Sequence, residues 1–102
     1  MNSEVLQHSV SDALYHVHDP EFGINLMDLG LIYGIQVNDG VAHISMTLTS
    51  VSCPAGQVLL DGVQSAAESV PGISRAEVSL VWDPPWHPEM LSPAARETLG
   101  WD

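Results

Sequence analysis

The stretch TLTSVSCPAG, from Thr47 to Gly56, holds the single cysteine of the chain, Cys53. An alternating run precedes it and a proline follows it. This pattern predicts a strand that ends near Thr49 and a helix that starts at Pro54, with Cys53 at or near the N-cap. The unpaired N–H groups and the positive end of a helix dipole favour an anion there. A thiolate is such an anion, so the position favours a reactive, metal-binding form of the sulfur. The acidic character of the whole chain opposes this, but that field acts over longer distances and is screened by salt. The plain alternative is a buried, inert cysteine that behaves as a small hydrophobe. Position alone leaves both readings open.

The neighbours widen the chemistry. Thr47, Thr49, Ser50 and Ser52 bring hydroxyls, and Thr47 and Thr49 are expected on the polar side of a hairpin. Asp19, Glu21 and Asp28 stand in the loops before the first strand. If that strand pairs with the second through a tight turn, Asp28 and the Asp19–Glu21 loop fall at the sheet end that carries Cys53. The simpler role for such carboxylates is capping and loop solvation. A complete iron–sulfur or structural zinc site needs more donors than one cysteine. His16 and His18 stand two residues apart, so on a helix they do not share a face. A metal held by Cys53 would therefore be shared across a homodimer. Such a site would be exposed and labile, which suits transfer better than storage. No protease-like signature surrounds the cysteine, and there is no phosphate loop or dinucleotide fingerprint.

The elements that must position these residues follow from hydrophobic spacing. Leu6, Val10, Ala13, Leu14 and Val17 recur at helical intervals, and Asn2 or Ser3 can cap that helix. Asp19-Pro20 should end it, since the residue before proline leaves the helical region. Phe22, Ile24, Leu26 and Leu29 are expected under the body of the domain. Leu31, Tyr33, Ile35 and Val37 alternate onto one face of a first strand. Asn38-Asp39-Gly40 is hairpin-turn chemistry. Ile44, Met46 and Leu48 form one face of a second strand. Val58, Leu59, Val63, Ala66 and Val70 make the stripe of a second helix, which Pro71-Gly72 stops. Ala76, Val78, Leu80 and Trp82 alternate along a third strand. Ser92, Pro93 and Gly100 bracket a short last helix. The order is helix, strand, strand, helix, strand and a short C-terminal helix. It predicts a two-layer α+β sandwich, with the third strand beside the first in a split crossover.

A chain of 102 residues makes one domain, residues 1–102. With 13 acidic residues against two arginines and no lysine, its formal net charge is −11. That charge argues against nucleic acid and against an anionic membrane surface, and it suits basic partners or cations. No apolar run reaches membrane-spanning length, and the first ten residues lack the regions of a secretory signal. With a lone cysteine, these features lead to the expectation of a cytoplasmic protein. In the WDPPWHPEM segment, Trp82, Trp86 and Met90 stand among prolines. Trp82 continues the strand alternation and is expected to seal the core. Trp86 is expected to lie outside as an interface anchor.

DPEFGINLMDLGLIYGIQV, MTLTSVSCPAG and VWDPPWHPEMLSPAARETLG together resemble the SufT/PaaD-type family of iron–sulfur cluster assembly factors. The likeness runs from the Asp19–Glu21 segment to the C-terminus. It implies an α+β fold of the iron–sulfur assembly type and a role in maturing iron–sulfur proteins, as a carrier or targeting adaptor and not as an enzyme. It puts the family's reactive cysteine on Cys53, its acidic loop on Asp19 and Glu21, its Asp-Leu-Gly on Asp28 and its strand-end threonine on Thr49. It further implies a transient iron–sulfur cluster or iron as the group handled, none of it stably bound. The implied partners are apo iron–sulfur clients or an assembly scaffold. The family usually reads Thr-Thr-Pro-Gly-Cys-Pro, where this chain has Thr49, Ser50, Val51, Ser52, Cys53 and Pro54. The approach loop is thus bulkier and less constrained, while the thiol is kept. Phenylacetate-pathway members usually carry a cysteine-rich extension that is missing after Asp102, which favours the general assembly type. A thiol-dependent enzyme with Cys53 as nucleophile and a pure protein-interaction adaptor working through Trp86 and Trp82 are the two alternatives.

Overall fold

The computed structural model describes residues 3–20, 22–49 and 56–100. Cys53, Glu21, Ser50, Ser52, Pro54 and the Asn2 cap lie outside them. The elements are α1 (Ser3–Leu14), α2 (Leu26–Leu29), β1 (Ile32–Asn38), β2 (Val41–Met46), α3 (Gly56–Glu68), β3 (Arg75–Leu80), a 3-10 turn (Pro88–Met90) and α4 (Pro93–Leu99). The expected α+β order is present, with α2 and the 3-10 turn added.

β1 and β2 form the antiparallel hairpin that Asn38-Asp39-Gly40 predicts. Asp39 and Gly40 both take positive φ, as this kind of turn requires. β3 does not lie beside β1. It pairs parallel with β2, and the sheet order is β1-β2-β3. The segment β2–α3–β3 is therefore a parallel crossover unit with a helical connection. α1 lies against β1 and α3, and α3 lies against β3. The core sits between these helices and one sheet face, where Val37, Ala42, Ile44, Met46 and Ala76 are buried. His43 and Glu77 pair on the other face at 3.2 Å, with Arg75 3.4 Å from Glu77.

Three local expectations are corrected. α1 ends at Leu14, not at Asp19. The N–H groups of Tyr15, His16 and Val17 turn to carbonyls three residues back, a tightening common at helix ends. The chain then pairs with itself: Leu26 N–H donates to Val17, Asp19 N–H to Ile24, and Gly23 N–H to Asp19. Second, the β1 register shifts between Ile32 and Gly34, so Tyr33 is the extra residue of a bulge and leaves the Ile35–Val37 face. Third, the apolar stripe of α3 is Gly56, Leu59, Val63 and Ala67, and Val58 is 66% exposed.

The end of the chain behaves as its capping residues predict. Ser92 Oγ accepts from Ala95 N–H, Pro93 opens α4, and Gly100 closes it in the left-handed region. The segment before α4 crosses the end of the sheet. Val81 N–H donates to Met46, Tyr33 Oη donates to the Pro84 carbonyl at 2.8 Å, and Ser92 N–H donates to Asp28. The expectation for the two tryptophans is reversed. Trp86 packs on the core and its indole N–H donates to the Leu29 carbonyl at 2.7 Å. Trp82 lies past the last residue of β3 and is 41% exposed.

Candidate functional site at the end of the sheet

The segment that carries Cys53 leaves the described structure at Thr49 and re-enters it at Gly56. Both ends are anchored. Leu48 is buried, and Gly56 is buried so close to it that an added Cβ would sit 2.9 Å from Leu48 Cδ1. Thr49 itself is half-buried. β2 ends at Met46 and not near Thr49, so the segment is flanked by a buried residue two places past β2 and by the buried start of α3.

Asp28 belongs to the same end. Thr47 N–H donates to Leu31, and Leu31 N–H donates to Leu26, so α2 and the end of β2 are joined through Leu31. The Asp28 carboxylate accepts from Asn25 Nδ2 at 2.8 Å, while Asn25 Oδ1 accepts the Asp28 N–H at 2.9 Å. This reciprocal pair is a helix cap: Asn25 is the N-cap of α2, and the Asp28 carboxylate holds the Asn25 side chain in place. Asp19 is 2% exposed and its carboxylate accepts from Phe22 N–H at 3.3 Å. It closes the DPEFG turn, whose following Gly23 adopts φ +68°. Of the site residues expected from sequence, the structure thus brings Asp28, Thr49, Trp86 and Trp82 to one end of the fold. Asp19 is buried in the segment before α2, where Phe22 N–H is one of its partners. Among the described residues no group of three or more His, Cys, Asp or Glu side chains is arranged to hold a metal ion.

Sequence reasoning missed Tyr33 and misplaced Thr47. The bulge aims Tyr33 at the segment that crosses the sheet end, where its hydroxyl also lies 3.5 Å from Met90 Sδ. Gly34, a glycine within a strand, was the available signal of a bulge. Burial and the nearby Asp83 carboxylate push the Tyr33 phenol above its ordinary value, and the adjacent Thr47 hydroxyl works in the opposite direction. A raised pKa in the folded state means that the native protein holds this proton more tightly than the unfolded chain does. The resulting stability is complete below the unfolded value of 10.0 and is lost as pH climbs through the folded value. Urea midpoints should therefore fall more steeply between neutral and strongly alkaline pH in the wild type than in Tyr33→Phe.

Thr47 was expected on the polar side of the hairpin. It is instead fully buried at 0% exposure, and its Oγ1 has no hydrogen-bond partner of ordinary geometry among the described residues. An unsatisfied buried hydroxyl costs about 1–3 kcal/mol. The nearby Tyr33 phenol is not aligned to offset that cost, and Thr47→Val keeps the shape and removes it. Urea unfolding should show a gain of about 1 kcal/mol.

The chain matches the family model described as iron-sulfur cluster assembly protein over residues 7–80. It is 40% identical over 98 residues to the Fe-S protein maturation auxiliary factor YitW of Bacillus subtilis, covering 95% of this chain and 96% of that protein. It is 45% identical over 85 residues to the Fe-S protein maturation auxiliary factor SufT of Staphylococcus aureus, covering 82% of this chain and 97% of that protein. Among solved structures, a domain of unknown function from Bacillus anthracis superposes with a TM-score of 0.92 at 33% identity, over 98% of this chain and 96% of that one. The buried flanks of the cysteine segment, the capped α2 and the α+β sandwich thus occur in a chain that belongs to the iron-sulfur cluster assembly protein family.

Proposed function

We propose that this protein matures iron–sulfur proteins as a carrier or targeting factor, without catalytic turnover, and that the Cys53 sulfur contacts the cargo. The observation that carries the reading is the pair of buried residues that flank the cysteine segment, Leu48 on one side and Gly56 on the other. With both flanks buried, the short stretch between them, Cys53 included, stays tethered to this end of the fold. Relatives named as Fe-S protein maturation auxiliary factors support the same role.

In this reading the cargo is an iron–sulfur cluster or iron, held briefly. Handover is a ligand exchange: a client thiolate binds the iron as the Cys53 sulfur leaves, with no change in oxidation state. The client's thiol proton is released, and the Cys53 thiolate can recover one from water. One cysteine does not fill the coordination of a cluster, so the remaining donors come from the client, a scaffold or a second copy of the chain. Asp19, Asp28 and Thr49 keep the surrounding loops in position, and Glu21 belongs to the same acidic segment. Trp82 and Trp86 serve the partner side, Trp82 by contact and Trp86 by fixing the crossing segment. The chain works as one domain in the cytoplasm, and no helix among its described residues is long and apolar enough to cross a membrane.

The test is anaerobic reconstitution with iron and sulfide. Wild type should develop visible absorption bands that Cys53→Ala lacks, and the bands should disappear on transfer to an apo-ferredoxin. Equal spectra in the two proteins would sink the carrier reading.

A further inference from the structure

The described residues expose large apolar side chains at Val5, Tyr15, Val58, Leu80 and Trp82. Val58, Leu80 and Trp82 belong to one end of the fold. Val58 stands in the first turn of α3, whose start touches Leu48 just past β2. β3 runs parallel to β2, and Val81 N–H donates to Met46, so Leu80 and Trp82 lie beside the same strand end. Leu80 pairs with Met46 and is on the helix-covered face, yet it remains 37% exposed at the edge strand.

The charges around this patch have one sign. Asp61 follows Val58 by three residues, which puts both on one face of α3, and it accepts from Gln57. Asp83 follows Trp82 and is exposed. Both arginines are engaged elsewhere: Arg75 with Glu77 at the opposite end of β3, and Arg96 with the Glu89 carbonyl. A second copy of this chain would set the same carboxylates against each other, within a formal net charge of −11.

We infer that Val58, Leu80 and Trp82 form a docking surface for a partner segment that carries an apolar anchor flanked by lysine or arginine. The apolar side chain covers the tryptophan and leucine, and the basic groups meet Asp61 and Asp83. The inference rests on the maturation reading only in identifying that partner as a client or scaffold protein. It separates the role of Trp82 from that of Trp86, whose indole is held inside the fold.

The probe is a fluorescein-labelled amphipathic Leu/Lys peptide of about 14 residues, followed by anisotropy on the full chain. A Leu/Glu peptide and a Lys/Ser peptide without leucine serve as comparisons. Wild type should bind the Leu/Lys peptide and neither of the others with comparable strength. Leu80→Ser with Trp82→Ser should weaken binding about tenfold or more. Asp61→Asn with Asp83→Asn should weaken it roughly threefold and flatten its salt dependence. Val5→Ser, an exposed apolar change on α1, should leave it unaltered. If the double serine variant does not fold by circular dichroism, Val58→Glu at the solvent surface of α3 replaces it. Unchanged affinity in the folded patch variants, or equal binding of the Leu/Glu peptide, would overturn the inference. A concentration-dependent dimer lost in the patch variant would overturn it in favour of self-association. Cys53→Ala should bind the peptide like wild type, so a failure of the carrier role and a failure of this surface give different results.

Discussion

Cells that depend on this protein should lose iron–sulfur enzyme activity when Cys53 is replaced by alanine, with a drop of about tenfold or more and no loss of soluble protein. The expectation rests on separating the thiol from its frame. Leu48 and Gly56 belong to the packed body, and Cys53 lies in the segment between them. The measurement is the specific activity of a cluster-dependent dehydratase, with protein levels and thermal unfolding alongside. Cys53→Ser keeps size and polarity but replaces a soft donor by a poor ligand for iron, so it should fail as alanine does. Serine rescue would move the function to the surrounding surface and leave the sulfur without a part in it.

Gly30→Ala should be the most disruptive of the small substitutions. Gly30 caps α2 with φ +77°, a backbone conformation that a side chain disfavours by roughly 1–2 kcal/mol. An added Cβ would also stand 2.9 Å from Met90 Cβ and 3.0 Å from the Met90 carbonyl carbon. The backbone of the 3-10 turn would have to shift, and overpacking of that kind costs about 1–3 kcal/mol more. Urea unfolding should register the two contributions together as a loss of about 2–5 kcal/mol. Because Trp86 and Tyr33 tie the same segment to α2 and β1, indole emission should change as well. A stability within about 0.5 kcal/mol of wild type would show that the segment yields more easily than its contacts suggest.

Local chemistry was readable from the sequence where a residue acts on its near neighbours. Asn38-Asp39-Gly40 made its hairpin, and Ser92, Pro93 and Gly100 set the limits of α4. Reading failed where a distant partner decides. Nothing in the spacing of Ala76, Val78 and Leu80 distinguishes pairing with β2 from pairing with β1, because both leave one apolar face toward the helices. Val58 and Leu59 are adjacent apolar residues roughly 100° apart around a helix, and only the packed sheet selects Leu59. The reversal of Trp82 and Trp86 has the same origin: alternation favours Trp82, but the Leu29 carbonyl holds Trp86. For the site, the resemblance pointed to Asp19 and Asp28 by motif. The structure adds what each carboxylate bonds: Asp19 accepts from the Phe22 N–H, and Asp28 accepts from the side chain of Asn25, the cap of α2.

The parallel pairing of β2 with β3 bears on how the chain reaches its native state. The hairpin joins residues close in sequence, and such contacts form within microseconds. Val41 meets Arg75, and Met46 meets Leu80, only after all of α3 has been spanned. Contacts this far apart in sequence slow folding, so docking of β3 is expected to follow formation of the hairpin. On a ribosome, the segment that carries Cys53 and both residues that flank it, Leu48 and Gly56, emerge before β3 has been synthesised. A capture that requires the finished β2–α3–β3 unit would keep cargo from loading onto chains still being made.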